Sequence, residues 1–280
     1  MHIFTKLDIQ WGYNNVQIKE GDEHKAAFKT KYGLWEPMVM FFGLCNSPAT
    51  FQAMMDWIFR PIKEKWAAKG TKVKKYMDNV AITTCTNEAD HIACVTEILE
   101  LAEWYDLYFK LEKCVFHAPQ IDYLGIIIEK GMTHMDPVKV EGIRKWPRPT
   151  KVKDVHSFLG FCNFYRPFIR GFAQIARPLN KLTKKDVKWN WTLRQEEAFI
   201  KLKEHITNEP VLAHPELDKQ FKVEVDASGF TLGAVLLQKK TDGKKHPIAY
   251  YSSTLNTAEH NYDIYELEYL VIHSVMTPSP

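Results

Sequence analysis

The chain has 280 residues, 45% hydrophobic and 25% charged, with a formal net charge of +3. That length and composition support two or three globular pieces with cores of their own. No apolar run approaches the roughly 18 residues needed to cross a bilayer, so a membrane-spanning helix is excluded. Charge is unevenly placed. Residues 1–135 hold 15 Lys and Arg against 17 Asp and Glu, residues 136–190 hold 13 against 4, and residues 191–280 hold 9 against 13, giving −2, +9 and −4. A basic segment between two acidic ones suits an arm that grips a polyanion, although charge alone fits a solvated helix face at least as well.

Residues 1–8 lack the charged start and small-residue cleavage site of a secretory signal. Cys45, Cys85, Cys94, Cys114 and Cys162 are odd in number and scattered, which reads as reduced, mostly buried thiols of an intracellular protein.

Taken in order, Leu7, Asp8 and Ile9 read as a strand with an acid inside it, and Trp11, Gly12 and Tyr13 as a break. Residues 27–36 suggest a hairpin around Gly33. Pro48 starts a helix over 48–68, in which Phe51, Met54, Met55, Ile58 and Phe59 fall at helical spacing. Lys75 to Ile82 predicts a second hairpin, with Asp78 and Asn79 at its tip between strand-forming flanks. A helix over 87–105 follows, with Ile92, Val95, Ile98, Leu99 and Ala102 on one face. Strands are expected over 107–116 and 123–129.

Asp136 and Pro137 open a helical region. Helices are expected over 139–146, 152–169 and 172–182, and Thr192 caps another that runs to Ile206. From Phe221 the pattern alternates, predicting strands at 221–226, 233–238 and 248–252 and a helix over 262–275. The mixture predicts an α+β protein with an antiparallel sheet. Three strands and one helix are few for an independent domain, so the last piece is expected to be cut short.

An acid inside a strand is costly unless it is paired, exposed or bound to a metal. Two such acids, Asp8 and Asp78, converging on one point would suit Mg2+, which prefers oxygen ligands and leaves positions open for substrate phosphates.

Several motifs stand in a characteristic order. They are Phe4 to Ile9 with Gly12 and Tyr13; Phe42 to Gln52; Tyr76, Met77, Asp78 and Asn79; Lys113 to Phe116 followed by Tyr123, Leu124 and Gly125; Phe158 to Arg166; Arg177, Pro178 and Leu179; and Val225 to Ser228. Together they resemble the reverse transcriptase of gypsy-type LTR retrotransposons, a piece of the pol polyprotein, across nearly the whole chain.

The resemblance implies a palm with an antiparallel sheet over 1–135, its fingers mostly missing. It implies a basic helical thumb or connection over 136–217 and an RNase H-like α/β domain over 218–280, truncated at its C-terminal end. Asp8 and Asp78 then match the metal-binding catalytic acids, and Asn79 stands, degenerate, where the family has a second aspartate. Tyr13 matches the gate against a ribose 2′-hydroxyl, and Gln52 the wall of the nucleotide and template pocket. Tyr76 and Met77 go with the nucleotide- and primer-contacting residues. Lys113 matches the lysine that gives a proton to the leaving pyrophosphate. Arg166 and Arg170 are expected at the primer–template backbone. Asp226 and Glu268 match two metal-binding RNase H acids, with Glu266 beside them.

The implied activity is Mg2+-dependent, RNA-directed DNA polymerisation. Its substrates are deoxynucleoside triphosphates and an RNA/DNA primer–template, and association with other pol-derived chains is open. Asn79 removes one charge, and the missing ends leave the strand next to Asp8 expected at an exposed edge. Impaired catalysis follows from these departures. The alternative is a non-catalytic nucleic-acid-binding remnant of a transposon.

Overall fold

Asp8 lies at the end of β1 (Ile3–Asp8), and the first sheet is built around that strand. The computed structural model describes residues 2–208, 211–228 and 230–276, which divide into two compact units; Pro278 and Pro280 fall outside the described residues. The first unit comprises Met1–Leu124 and Ile128–Lys130, and the second Gly125–Ile127 and Gly131–Pro280.

In the first unit β1 is followed by a small hairpin, β2 (Phe28–Thr30) and β3 (Gly33–Trp35). Then come α1 (Ser47–Ala67), β4 (Thr71–Tyr76), β5 (Asn79–Thr84) and α2 (Glu88–Trp104), and after them β6 (Val115–Ala118) and β7 (Gln120–Tyr123). Pro48 lies in the first turn of α1, where its missing N–H costs nothing. Asn87 caps α2 by accepting the Asp90 N–H at 2.7 Å.

The sheet order is β4-β5-β1-β6, so β1 is interior and the strand beside it, β6, is at the edge. The strand expected over 107–116 is formed only in part, since Val115 and Phe116 open β6, which pairs with β1. Leu111–Lys113 form a 3-10 turn, Phe109 makes an isolated bridge to Ile9, and the Lys110 N–H donates to the Asp8 carbonyl at 2.8 Å.

Strand alternation decides which side chains share a face. Thr5, Leu7, Val73, Val80 and Ile82 are buried on the side of α1 and α2, and the last four pack with Phe51, Met55, Ile58, Cys94 and Ile98. Phe4 and Ala81 occupy the other side with Ile121 and Tyr123. Asp8, in step with Phe4, therefore falls on the face away from the helices.

The second unit takes in β8 (Ile126–Glu129), at whose residues the division falls, and then β9 (Met132–Met135), α3 (Pro137–Arg144), α4 (Val152–Phe164), α5 (Phe172–Leu182) and α6 (Leu193–Thr207). β10 (Leu212–Ala213) pairs with β9. The helices enclose a core of Ile143, Val155, Phe158, Cys162, Leu179, Phe199 and Leu202. Asp136 caps α3, and Thr192 with Gln195 forms a capping box on α6. The helix expected over 152–169 stops at Phe164, and Arg166–Phe168 turn as a 3-10 helix at Pro167.

Then follow β11 (Phe221–Ser228), β12 (Thr231–Lys239) and β13 (Lys245–Thr254), an antiparallel meander longer than the strands expected, and α7 (Ile264–Met276) packed on it through Leu267 and Val271. This sheet is tied to the helices. Arg166 Nη2 donates to the Ser252 carbonyl at 2.6 Å, and the Ala173 N–H donates to Ser252 Oγ at 3.2 Å. The α+β architecture with antiparallel sheets is as expected. The cysteines depart from expectation: Cys94 and Cys162 are buried, Cys114 is half-buried, and Cys45 and Cys85 are exposed.

Candidate active site

Asp8 is 6% exposed, on a central strand where an unpaired carboxylate would be heavily penalised. Its Cα partner across the antiparallel pair is Asn79, so the two side chains share a face. The Ile9 N–H donates to the Asp78 carbonyl at 2.8 Å, and Asn79 Nδ2 donates to Asp78 Oδ1 at 3.0 Å. Asp8, Asn79 and Asp78 are thus gathered at one end of β1, although residues 8 and 78 lie 70 positions apart. The Asn79 amide lies against the carboxylate of Asp78. Lys113 Nζ donates to Asp8 Oδ2 at 3.4 Å, giving the buried acid a cation.

The hairpin tip is unusual. Met77 has φ 53, the only positive φ of the two central residues, as in a type II′ turn, where that position is normally glycine. A side chain in the left-handed region costs on the order of 1–2 kcal/mol, so this turn needs support. Gln52 supplies it from α1, its Oε1 accepting the Met77 N–H at 2.7 Å. Gln52 Nε2 donates to Asp56 Oδ2 at 3.1 Å, one turn further along the helix, and Lys75 Nζ lies 2.5 Å from Asp56 Oδ1. The Lys75 ammonium holds the Asp56 carboxyl below the usual range, while burial pushes the Lys75 amine down.

Sequence reasoning missed Lys75 and Asp56. The signals were the alternation of buried Thr71 and Val73, which turns Lys75 toward the helices, and the four-residue spacing of Gln52 and Asp56. Tyr76, opposite Asn79, is 57% exposed.

Tyr13 stands in the 3-10 turn Gly12–Asn15, its ring 4.8 Å from that of Phe42 and edge-on at 5.7 Å to that of Phe51. Gly12 makes this possible, since a Cβ there would come within 2.9 Å of the Phe51 ring. The Cys114 thiol is hydrogen-bonded to the Asp8 backbone, and burial pushes it up from its ordinary value.

In the second unit Asp226 is exposed on β11 and lines a cavity of about 600 Å³ with Arg170, Gln174, Glu224 and Ser228. Glu268 is exposed on α7 and is not among that cavity's lining residues. Glu266 Oε2 accepts the Asp263 N–H at 3.0 Å, half of a capping box, so it serves the helix start. Arg166 is held by Ser252 and by Asn163, and its guanidinium stacks on Phe172. A separate cleft of about 780 Å³ is lined by His156, Arg166, Arg177, Lys181, Lys184 and His260, with no carboxylate among its lining residues.

The donor set around Asp8 and Asp78 is hard oxygen: two carboxylates, the Asn79 amide and the backbone carbonyl of Asp78. It fits Mg2+ held partly by substrate phosphates, the usual arrangement for that ion. Among the described residues no three His, Cys, Asp or Glu side chains converge into a metal-binding group.

The first 128 residues match the model of the reverse transcriptase (RNA-dependent DNA polymerase) family. Residues 191–277 match that of the RNase H-like domain found in reverse transcriptase. Among curated proteins, the Transposon Tf2-7 polyprotein of Schizosaccharomyces pombe is 37% identical over 271 residues, 96% of this chain, and Tf2-3 of the same organism is 36% identical over the same span. The chain spans about a fifth of the length of these relatives.

Among solved structures, the foamy viral protease-reverse transcriptase in complex with an RNA/DNA hybrid is similar with a TM-score of 0.83 at 19% identity, over 98% of this chain and 36% of that one. The same viral protein with dsDNA has a TM-score of 0.79 at 19% identity, over 98% of this chain and 56% of that one. The chain belongs to the gypsy-type retrotransposon reverse transcriptases that carry an RNase H-like domain.

Proposed function

We propose that the first unit carries a nucleotidyl-transfer site that extends a primer on an RNA or DNA template. The observation that carries this reading is the placement of Asp8, buried on a central strand, beside the hairpin that lifts Asp78. Asp8 and Asp78 would hold Mg2+, with the Asn79 carbonyl oxygen as a weaker neighbour. Bound there, the ion supplies Lewis-acid stabilisation of the phosphoryl oxygens and activates the primer hydroxyl.

Tyr13, fixed by Phe42 and Phe51, limits the space available to a ribose 2′-hydroxyl. Gln52 shapes the pocket wall and, with Tyr76 and Met77, borders the nucleotide and primer end. Lys113 offers a proton to the leaving pyrophosphate, which requires its ammonium to leave Asp8. We read 1–135 as palm, 136–217 as thumb or connection and 218–280 as RNase H-like, with Asp226 and Glu268 as metal-binding acids of the last part.

Nucleic-acid binding is supported by the cleft whose charged lining residues are Arg166, Arg177, Lys181 and Lys184, which gives part of the +9 of residues 136–190 a concave surface for phosphates. It is supported also by the foamy viral relatives, which are bound to an RNA/DNA hybrid and to dsDNA. Arg170, which lines the other cavity with Asp226, is the freer of the two arginines for a backbone contact.

A second reading is a nucleic-acid-binding chain without turnover. One observation favours it: the acids are already answered by protein groups, Asp78 by the Asn79 amide and Asp8 by Lys113. Primer extension with Mg2+ decides between the two. Extension that is abolished by Asp8→Asn and by Asp78→Asn supports the first reading. Salt-dependent binding with no extension, in the parent and in Asn79→Asp alike, supports the second.

A further inference from the structure

We infer that Lys75 and Asp56 are positioning residues that hold the tip of the Asp78 hairpin through Gln52. Four side-chain and backbone groups form a closed ring: Lys75 to Asp56, Asp56 to Gln52, Gln52 to the Met77 N–H, and the two-residue step of the strand back to Lys75. The inference rests on the polymerase reading only for its kinetic consequence; the ring itself is a statement about the hairpin.

Each link has a physical reason. The Met77 N–H sits in a left-handed turn without glycine, so the tip needs an acceptor to hold it. An amide side chain can present either end, and Gln52 is held with its oxygen toward Met77 more firmly when its nitrogen also has a fixed protein acceptor. Asp56 Oδ2 is that acceptor. Asp56 is half-exposed, and its other oxygen, Oδ1, is ion-paired with Lys75 Nζ at 2.5 Å, outside hydrogen-bond geometry. The Lys75 side chain is only 8% exposed, an expensive place for an ammonium. A methionine there would pack as well and carry no charge. The ammonium therefore contributes orientation more than stability, and what it orients is the turn that carries the Asp78 carboxylate.

The test uses the full chain with Lys75→Met and, separately, Asp56→Leu. Hydrogen exchange of the Met77 amide is read by NMR alongside thermal unfolding and primer extension. The ring requires Lys75→Met to keep the thermal midpoint at or above the parent value. It also requires Met77 amide protection to fall by tenfold or more, and extension to fall by about 10- to 100-fold through kcat, as expected when reacting groups are misplaced by a fraction of an ångström.

Asp56→Leu is expected to reproduce the loss of protection. Unchanged Met77 protection in Lys75→Met overturns the inference, as does a loss of protection that merely tracks a loss of global stability. If the parent extends no primer, the polymerase reading fails and the amide measurement still decides the ring.

Discussion

Asn79 sits where a charge would matter most, directly opposite Asp8 with its amide donating to Asp78. Replacing it by aspartate removes that donor and adds a third anion to a small space. Without metal, Asn79→Asp should lower the thermal midpoint, because like charges disfavour one another. With Mg2+ the midpoint should recover and primer extension should rise by about tenfold or more. Differential scanning with and without the ion, beside an extension assay, measures both.

Gly12 is the other residue whose identity is dictated by space. A Cβ there meets the fully buried Phe51 ring, which has nowhere to move. Gly12→Ala should cost about 1–3 kcal/mol in a urea titration and disturb the seat of Tyr13. The motif around Asp8 was legible from residues alone. The engagement of Asn79 was not, because it depends on which residues the two strands place in register.

At the scale of elements, α2 is pinned to the sheet by a buried polar chain. Thr5 Oγ1 lies 2.8 Å from His91 Nε2, and Thr84 Oγ1 lies 2.9 Å from His91 Nδ1. His91 is 1% exposed, and burial is the largest cause lowering its pKa from 6.5. His117, whose ring lies 5.9 Å away, adds to that effect, and Glu88 opposes it. A base whose folded pKa is depressed stabilises the fold fully above its unfolded value. That contribution is lost as pH falls below about 6.5 toward the folded pKa, because only the unfolded chain binds the proton readily. Urea midpoints should therefore decline as pH falls below about 6.5, and His91→Gln should flatten that decline.

Helix starts were the most readable elements, since Asn87, Asp136 and Thr192 act within their own first turns. The strand expected over 107–116 formed only at its end, where Val115 and Phe116 open β6; Leu107 is buried while Tyr108 and Leu111 are exposed around a 3-10 turn, and alternation alone did not show that break.

For the whole molecule, the uneven charge becomes a surface with a measurable consequence. Lys181 and Lys184 are exposed and line the cleft that lacks carboxylates. If both meet duplex phosphates, the double variant Lys181→Gln with Lys184→Gln should reduce the salt slope of binding by about 1.8, at roughly 0.9 per phosphate contact. Fluorescence anisotropy of a labelled RNA/DNA hybrid from low to moderate salt would show it, and an unchanged slope would remove the cleft from the interface.

Residue order by itself determined the family, the α+β class and the helix starts, and it singled out Asp8 and Asp78 as candidates, because motifs, caps and periodicity are local and each is written within a few positions. Tertiary structure alone decided that β1 is interior, that Arg166 is committed to Ser252, that Glu266 caps a helix, and that Lys75 faces α1. Those outcomes depend on which distant segments pair and which face is covered, and a short stretch of chain carries no record of either.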